Sequence, residues 1–423
     1  MDQAKIDAAP GARLAALAGA TFVYVTFEVF PVGLIQDIAR SVNVSTGQAG
    51  LLVSGYAVVA ALGTIPTVAL ASRVSRRTAL VASLVCLVIA EIITIVSTTF
   101  VMLAISRFSA AISHGVLWSL VDPAAADLVP RERVGTATAV VFGGSSLALI
   151  LGSPGTTFIG ELMGWRATAG VLMIATVLVT FAVLWAVRTP RAEGDTTHLA
   201  SEAASRLGAS RSRQGVAKQG PASVTRQLKS MAWRAILTLC GISVLLVTAH
   251  FITYTYVAVL ITETIGSASA VIGILTLFGI TGAIGTFFIG RIIDLGARRA
   301  EIVTMVTFVS GLSLLAFTAL PASHLVRSIS MVVAVSFWGL AFAASGPVFQ
   351  TGVMHIAEGD ADRASAVYVT SVQIGIASGS ALGAVIVGAS FVWLPVVSAT
   401  IALGVLALVL VFRPTSTARI TRA

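Results

Sequence analysis

The sequence runs to 423 residues, 57% of them hydrophobic and only 11% charged, with a formal net charge of +9. Soluble domains carry about 25% charged residues, so this composition excludes water as the main solvent of the folded chain. The cationic surplus does not mark a nucleic-acid binder either, because it segregates by loop in the way membrane topology demands.

Apolar runs near the 20 residues that cross about 30 Å of hydrocarbon predict twelve transmembrane helices. They fall at 13–36, 47–71, 77–97, 101–121, 133–156, 167–188, 234–262, 268–290, 300–320, 324–349, 361–388 and 391–412. The first follows a short polar segment and carries Glu28 deep inside it, which argues against a cleaved signal peptide. Residues 189–233, rich in Ser, Arg, Gly and Ala, read as a flexible basic cytoplasmic linker with a short surface helix near 224–231. The expectation is an all-α membrane protein of two six-helix bundles, 1–188 and 234–423, joined by that linker. Of the 27 Lys and Arg residues, 23 share one side if the N-terminus is cytoplasmic, and only Arg40, Arg166 and Arg327 face the other. Arg107 is left inside a helix. An inner-membrane protein with both termini cytoplasmic follows, its basic loops drawn to anionic lipid.

Residues 68–77 read Val-Ala-Leu-Ala-Ser-Arg-Val-Ser-Arg-Arg, and 222 positions later residues 290–299 read Gly-Arg-Ile-Ile-Asp-Leu-Gly-Ala-Arg-Arg. A basic turn repeated between two spans of each half marks a duplicated transporter whose site lies between the halves. No lysine follows a glycine, so there is no phosphate loop for ATP; His-Glu-x-x-His and Gly-x-Ser-x-Gly are also missing. The chain is therefore expected to be no enzyme and to need no cofactor, drawing its energy from a gradient. Cys86 and Cys240 both fall inside spans as small apolar residues, neither a disulfide framework nor a metal site.

The turn at 290–299 resembles the loop motif of the major facilitator superfamily, keeping Gly290, Asp294, Arg298 and Arg299. Its counterpart keeps Arg73, Arg76 and Arg77 but has Val68, Ser72 and Ser75 where the family has Gly, Asp and Gly. Residues 26–33 (Thr-Phe-Glu-Val-Phe-Pro-Val-Gly), 113–118 (Ser-His-Gly-Val-Leu-Trp), 127–133 (Asp-Leu-Val-Pro-Arg-Glu-Arg) and 250–256 (His-Phe-Ile-Thr-Tyr-Thr-Tyr) resemble the sugar-efflux and chloramphenicol-efflux branch of its proton-coupled drug antiporters. Gly143, Gly144, Gly152, Pro154 and Gly155 in helix 5 are similar to the antiporter motif, with Gly375, Gly379 and Gly383 as the matching face in helix 11. Small residues let helices approach closely, and proline bends the span where it rocks against the other half. The resemblance implies a conformational latch at Asp294 and its neighbouring arginines.

In the arrangement that this family implies, helices 1 and 4 both line a central cavity. At 1.5 Å per residue, Glu28 lies about 12 Å and Arg107 about 9 Å below the same surface, so a Glu28–Arg107 pair is expected. One charge near the bilayer centre costs about 2.5 to 3.5 kcal/mol, which makes a functionless one an expensive accident. Desolvation and a close guanidinium act oppositely on a carboxyl, so moving the arginine would load or unload a proton. His114, two turns deeper on the face of Arg107, is the reserve carrier. The 222-residue offset places His250 at the point equivalent to Glu28, followed by Tyr254 and Tyr256. With Trp118, Trp338, Gln350 and Gln373 these residues are the candidates for binding a small amphipathic molecule. Glu91 and Asp127 are read as structural. The expected function is proton-coupled export of sugars, sugar analogues or drugs by a monomer; an uptake symporter and a non-transporting receptor or scaffold are the rival readings.

Overall fold

The computed structural model describes residues 3–71, 73–130, 133–187, 222–267, 269–318, 323–357 and 361–412, all built from helices and their connections. Helices α1 (Gln3–Ser41), α2 (Thr46–Ala71), α3 (Arg76–Val96) and α4 (Phe100–Ala126) form spans 1 to 4. Span 5 is α5 (Val134–Leu147), a π-turn (Ala148–Gly152) and α6 (Ser153–Met163), and span 6 is α7 (Trp165–Ala186). In the second half α8 (Ala222–Tyr254) and α9 (Val257–Ile265) make span 7. Helices α10 (Ser269–Asp294), α11 (Ala297–Phe317), α12 (His324–Ala357), α13 (Ala361–Ala389) and α14 (Trp393–Phe412) make spans 8 to 12. Twelve of these segments are long and apolar enough to cross a bilayer. Large side chains such as Leu62, Leu178, Phe181, Val385 and Val411 stand more than 60% exposed around the bundle, a surface that only lipid tails solvate.

Several boundaries differ from the sequence reading. Span 5 begins at Val134 close to expectation but runs on to Met163, past the expected end at 156. Span 10 continues past the expected end at 349 to Ala357. Residues 224–231, expected as a separate surface helix, are continuous with span 7; residues 189–221 of the expected linker lie outside the described residues.

Helix ends follow local chemistry. Ser75 and Thr99 cap α3 and α4 by accepting from the backbone N–H groups of Thr78 and Met102, which satisfies donors that a helix start leaves free. Pro154 has no N–H to give Ile150, and the helix absorbs the gap as the π-turn just before it. Span 1 bends at Leu34 (φ −117°, ψ 15°), and span 7 breaks at Tyr256 (φ −113°, ψ 18°). The two positions are 222 residues apart, the offset of the repeated loop.

The halves meet at the face away from the termini, called here the distal face. A Cβ on Gly47 would lie 2.7 Å from the Ala384 carbonyl oxygen, and one on Gly50 would strike the Tyr256 hydroxyl at 1.9 Å. The Ser380 hydroxyl donates to the Gly50 carbonyl oxygen at 2.9 Å. Val32, Ile35, Ala39, Ala49, Val53 and Ala57 of spans 1 and 2 belong to the same buried cluster as the second bundle. Further in, Gly279 of span 8 backs onto the π-turn, 2.5 Å from Cβ to the Ile150 Cα. Gly144 and Gly152 seat span 1 through Ala18 and Thr26, Gly155 faces open space, and the π-turn itself makes the contact with the other half. Gly375, Gly379 and Gly383 pack on span 7 in the corresponding way.

Candidate functional site

The centre of the first half is organised by Pro31. Lacking an N–H, it leaves the Phe27 carbonyl oxygen without its helical donor, and Arg107 fills the vacancy from span 4. Its guanidinium donates to the carbonyl oxygens of Phe27 (2.5 Å) and Glu28 (2.6 Å). The rings of Phe27 and Tyr56 lie 4.9 and 4.8 Å from its central carbon, so the buried cation is held by carbonyl dipoles and aromatic faces.

The expected close Glu28–Arg107 contact is therefore corrected: the hydrogen bonds of Arg107 go to the main chain of span 1, and its guanidinium acts on the Glu28 carboxyl through space and not in a direct ion pair. The carboxyl turns instead toward His114, with Oε2 3.8 Å from Nδ1. Side-chain exposure is 17% for Glu28 and 6% for His114, so the carboxyl is the less covered of the two. The Tyr56 hydroxyl lies 2.9 Å from His114 Nδ1, and the Gln373 amide nitrogen of span 11 lies 3.2 Å from Nε2. The rings of Tyr24, Tyr56 and Trp118 surround the imidazole at 5.9, 5.7 and 6.1 Å. Tyr24 is fixed by hydrogen bonds of 2.6 Å to the Ala110 carbonyl oxygen and the Ser113 hydroxyl.

Tyr24 and Tyr56 are the residues that the sequence reading missed. Tyr24 sits one turn before Glu28 on the same helical face, a usable signal. The chain has only five tyrosines, and a census of them would have found Tyr56 in its otherwise apolar span.

A second group forms in the other half. His250 stacks on Phe342 and Tyr254, with Trp338 and Phe278 at 5.2 and 5.9 Å. His250, Tyr254 and Trp338 come together as expected from symmetry, but as a packed aromatic box and not as an open cavity wall: all three are at most 3% exposed. His250 Nδ1 and Trp338 Nε1 have no hydrogen-bond partner among the described residues. Tyr256 leaves this group; its hydroxyl donates to the Gly47 and Ser380 carbonyl oxygens at the distal seal. Gln350 is half-buried about 18 Å along span 10 from Trp338. Glu91, read as structural, is fully buried and accepts from Thr176 at 2.8 Å.

At the terminal face the loop arginines cap helix ends. Arg76 bonds the Pro123 carbonyl oxygen and pairs with Asp127. Arg77 donates to the Leu184 carbonyl oxygen at the end of span 6, and Arg298 to those of Val409 and Leu410 at the end of span 12, where the helix dipole favours a cation. Arg73 and Arg299 are exposed, and Gly290 has open space around it. Ser72 and the side chain of Asp294 lie outside the described ones. Among the described residues no group of three His, Cys, Asp or Glu side chains could hold a metal ion.

Comparison with known proteins matches the chain to the Major Facilitator Superfamily over residues 16–260 and 239–422. It is 32% identical to the chloramphenicol efflux pump of Mycobacterium tuberculosis over 373 residues, 88% of this chain and 84% of the pump. It is 28% identical to a probable sugar efflux transporter of Helicobacter pylori, over 86% of each chain. Among solved structures, a D-xylose–proton symporter superposes with a TM-score of 0.70 at 18% identity, covering 94% of this chain and 96% of that one. A POT family transporter in complex with a thioalcohol-conjugated peptide gives 0.69 at 13%, covering 96% of each.

Proposed function

Because the chain belongs to the major facilitator superfamily and is thus a multi-pass membrane transporter, not an enzyme, we propose that it exports small organic molecules in exchange for protons. A transporter of this family needs no cofactor, and the names of the two relatives support outward transport. Sugars, sugar analogues and chloramphenicol-like drugs are the substrate classes. The terminal face is cytoplasmic, supported by the gathering of arginines there, and the working units are the bundles 1–188 and 234–423 with the linker 189–233 between them. Asp294 and the loop arginines steady the terminal face between strokes.

The observation that carries the reading is the approach of the Glu28 carboxyl to the His114 imidazole, 3.8 Å apart at mid-depth. Ionisable groups buried in a span mark a proton or substrate path. Glu28, the more accessible, takes the proton from water, and His114 holds it beside the second half. Arg107 supports this by fixing the backbone that presents Glu28. Substrate binds between Trp118 on one side and the box of His250, Tyr254 and Trp338 on the other, with Gln350 nearer the terminal face.

The test is transport in proteoliposomes with an imposed pH gradient. Glu28→Gln should abolish gradient-driven efflux and substrate-induced proton movement while still binding substrate. Undiminished efflux in this variant would reject Glu28 as the carrier.

A further inference from the structure

Resting on the proton-exchange reading, we propose that Gln373 carries the protonation state of His114 across to the second half, holding the distal face shut while His114 bears a proton. Gln373 and Ser380 are two turns apart on one face of α13, and both reach the first half: Ser380 at Gly50, Gln373 at His114. The groups facing the imidazole are Tyr24 and Glu28 from span 1, Tyr56 from span 2 and Gln373 from span 11. Trp118 and, two turns toward the distal face, Arg107 belong to its own span.

Hydrogen-bond accounting assigns the role. A neutral imidazole has one N–H and one lone pair, whereas its protonated form has two N–H groups and no acceptor. A carboxamide suits both, because its NH2 donates to a bare ring nitrogen and its oxygen accepts from a ring N–H after a half-turn. In the structure the amide nitrogen faces Nε2, and Gln373 Oε1 is buried without a partner. Adding a proton to the ring turns the amide, gives that oxygen its donor, and replaces a neutral bond with a charge-assisted one about twice as strong. The Nδ1–H points between the Tyr56 oxygen and Glu28, which compensates the added charge within the first half.

The proton therefore strengthens a bond that spans the halves in the distally closed form. In proton exchange the loaded protein must close the distal face to deliver its proton at the terminal face. The sign of the latch agrees with that requirement.

Spin labels at Gln36 and Ser390, which line a distal vestibule of about 820 Å³ from opposite halves, read the closure in a Cys86→Ala, Cys240→Ala background. Distances are recorded by double electron–electron resonance from pH 5 to 8 without substrate. The closed population should rise at least threefold as pH falls. Gln373→Leu and His114→Gln should each remove that dependence. Gln373→Glu, whose carboxylate holds a protonated ring more tightly, should move its midpoint up by at least one pH unit. A monodisperse Gln373→Leu protein that keeps the wild-type pH response overturns the proposal, as does a Gln373→Glu midpoint that stays or falls; where Gln373→Leu fails to fold, the midpoint alone decides. If substrate moves no protons in proteoliposomes while the gate still responds through Gln373, the latch stands and the exchange reading falls. If protons exchange and Gln373→Leu gates normally, only the latch falls.

Discussion

Leu34 and Tyr256 leave helical geometry with nearly the same backbone angles, 222 residues apart. Each is covered by a glycine of the same bundle. A Cβ on Gly160 would lie 2.4 Å from Leu34, and one on Gly383 would lie 2.6 Å from the Tyr256 ring. The duplication has thus preserved a break near the distal end of the first span of each half. Only the second break has acquired a side chain that crosses to the other bundle, where the Tyr256 hydroxyl reaches the Gly47 carbonyl oxygen. That asymmetry makes the distal seal depend on what stands opposite the tyrosine.

Gly50 stands there, and a Cβ on it would lie 1.9 Å from the Tyr256 hydroxyl. Gly50→Val should therefore hold the distal face open, since a Cβ there would also meet Tyr256 Cζ at 2.3 Å and Cε1 at 2.6 Å, and Gly383 lies directly behind the ring. Cysteines at Gln36 or Ser390 should react with a membrane-impermeant maleimide several-fold faster in this variant. Tyr256→Ala in the same background, which removes the whole struck ring, should restore part of the closure. Unchanged reactivity would show that the two bundles close elsewhere.

Arg107 and Pro31 should be energetically coupled. Arg107→Met removes two charge-assisted hydrogen bonds, each worth about 1.5–3 kcal/mol, and leaves the Phe27 carbonyl bare. With Pro31→Ala, residue 31 supplies an N–H to that carbonyl, and the cost of losing Arg107 should fall by at least about 1 kcal/mol. Denaturant melts of the four proteins of the cycle in detergent measure this. Strict additivity would mean that the arginine does not serve the proline gap.

The twelve spans and the two-bundle architecture were legible in the sequence because length and apolar content alone define a membrane helix. The repeat was legible because a basic turn is conspicuous between apolar runs. Depth along a helix was readable too, since rise per residue is fixed: Glu28, Arg107 and His114 lie within reach of one another. Which way each side chain turns was not. Equal depth suggested a carboxylate–guanidinium pair, but the proline three residues after Glu28 had freed a carbonyl oxygen that Arg107 satisfies instead. Likewise symmetry brought His250, Tyr254 and Trp338 together, yet whether an aromatic group is packed or open depends on Phe278 and Phe342, whose helical phase an all-apolar span does not encode.

Glu91 offers a contrast with Glu28. It is buried between spans 3 and 6, and Thr176 donates to its Oε1. Glu91→Gln keeps that acceptor and the volume, so stability should change by no more than about 1 kcal/mol. Glu91→Ala should cost about 2 kcal/mol or more through the cavity it opens. Substrate-coupled proton movement should be the same in Glu91→Gln as in the wild type. Loss of proton movement in this variant with folding intact would place a second carrier in the outer layer of the first bundle.

The aromatic box separates packing from recognition through one substitution. His250→Phe retains a flat ring among Phe342, Tyr254 and Trp338 while removing a buried nitrogen that has no partner. If the box only packs, the variant should be as stable as the wild type or more so, by about 1 kcal/mol, with transport unaltered. If the box opens to substrate during the cycle, that nitrogen is the polar group that orients the molecule, and its loss should raise KM about tenfold, equivalent to about 1.4 kcal/mol, while sparing kcat. We expect the second outcome, because an imidazole and an indole N–H that both lack partners in the closed form are satisfied once a hydroxyl or carbonyl of the substrate enters. Initial rates of counterflow, taken with melting temperatures of the same preparations, distinguish the two. An unchanged KM in a stabilised variant assigns His250 to packing and leaves Trp118 and Gln350 as the remaining contacts.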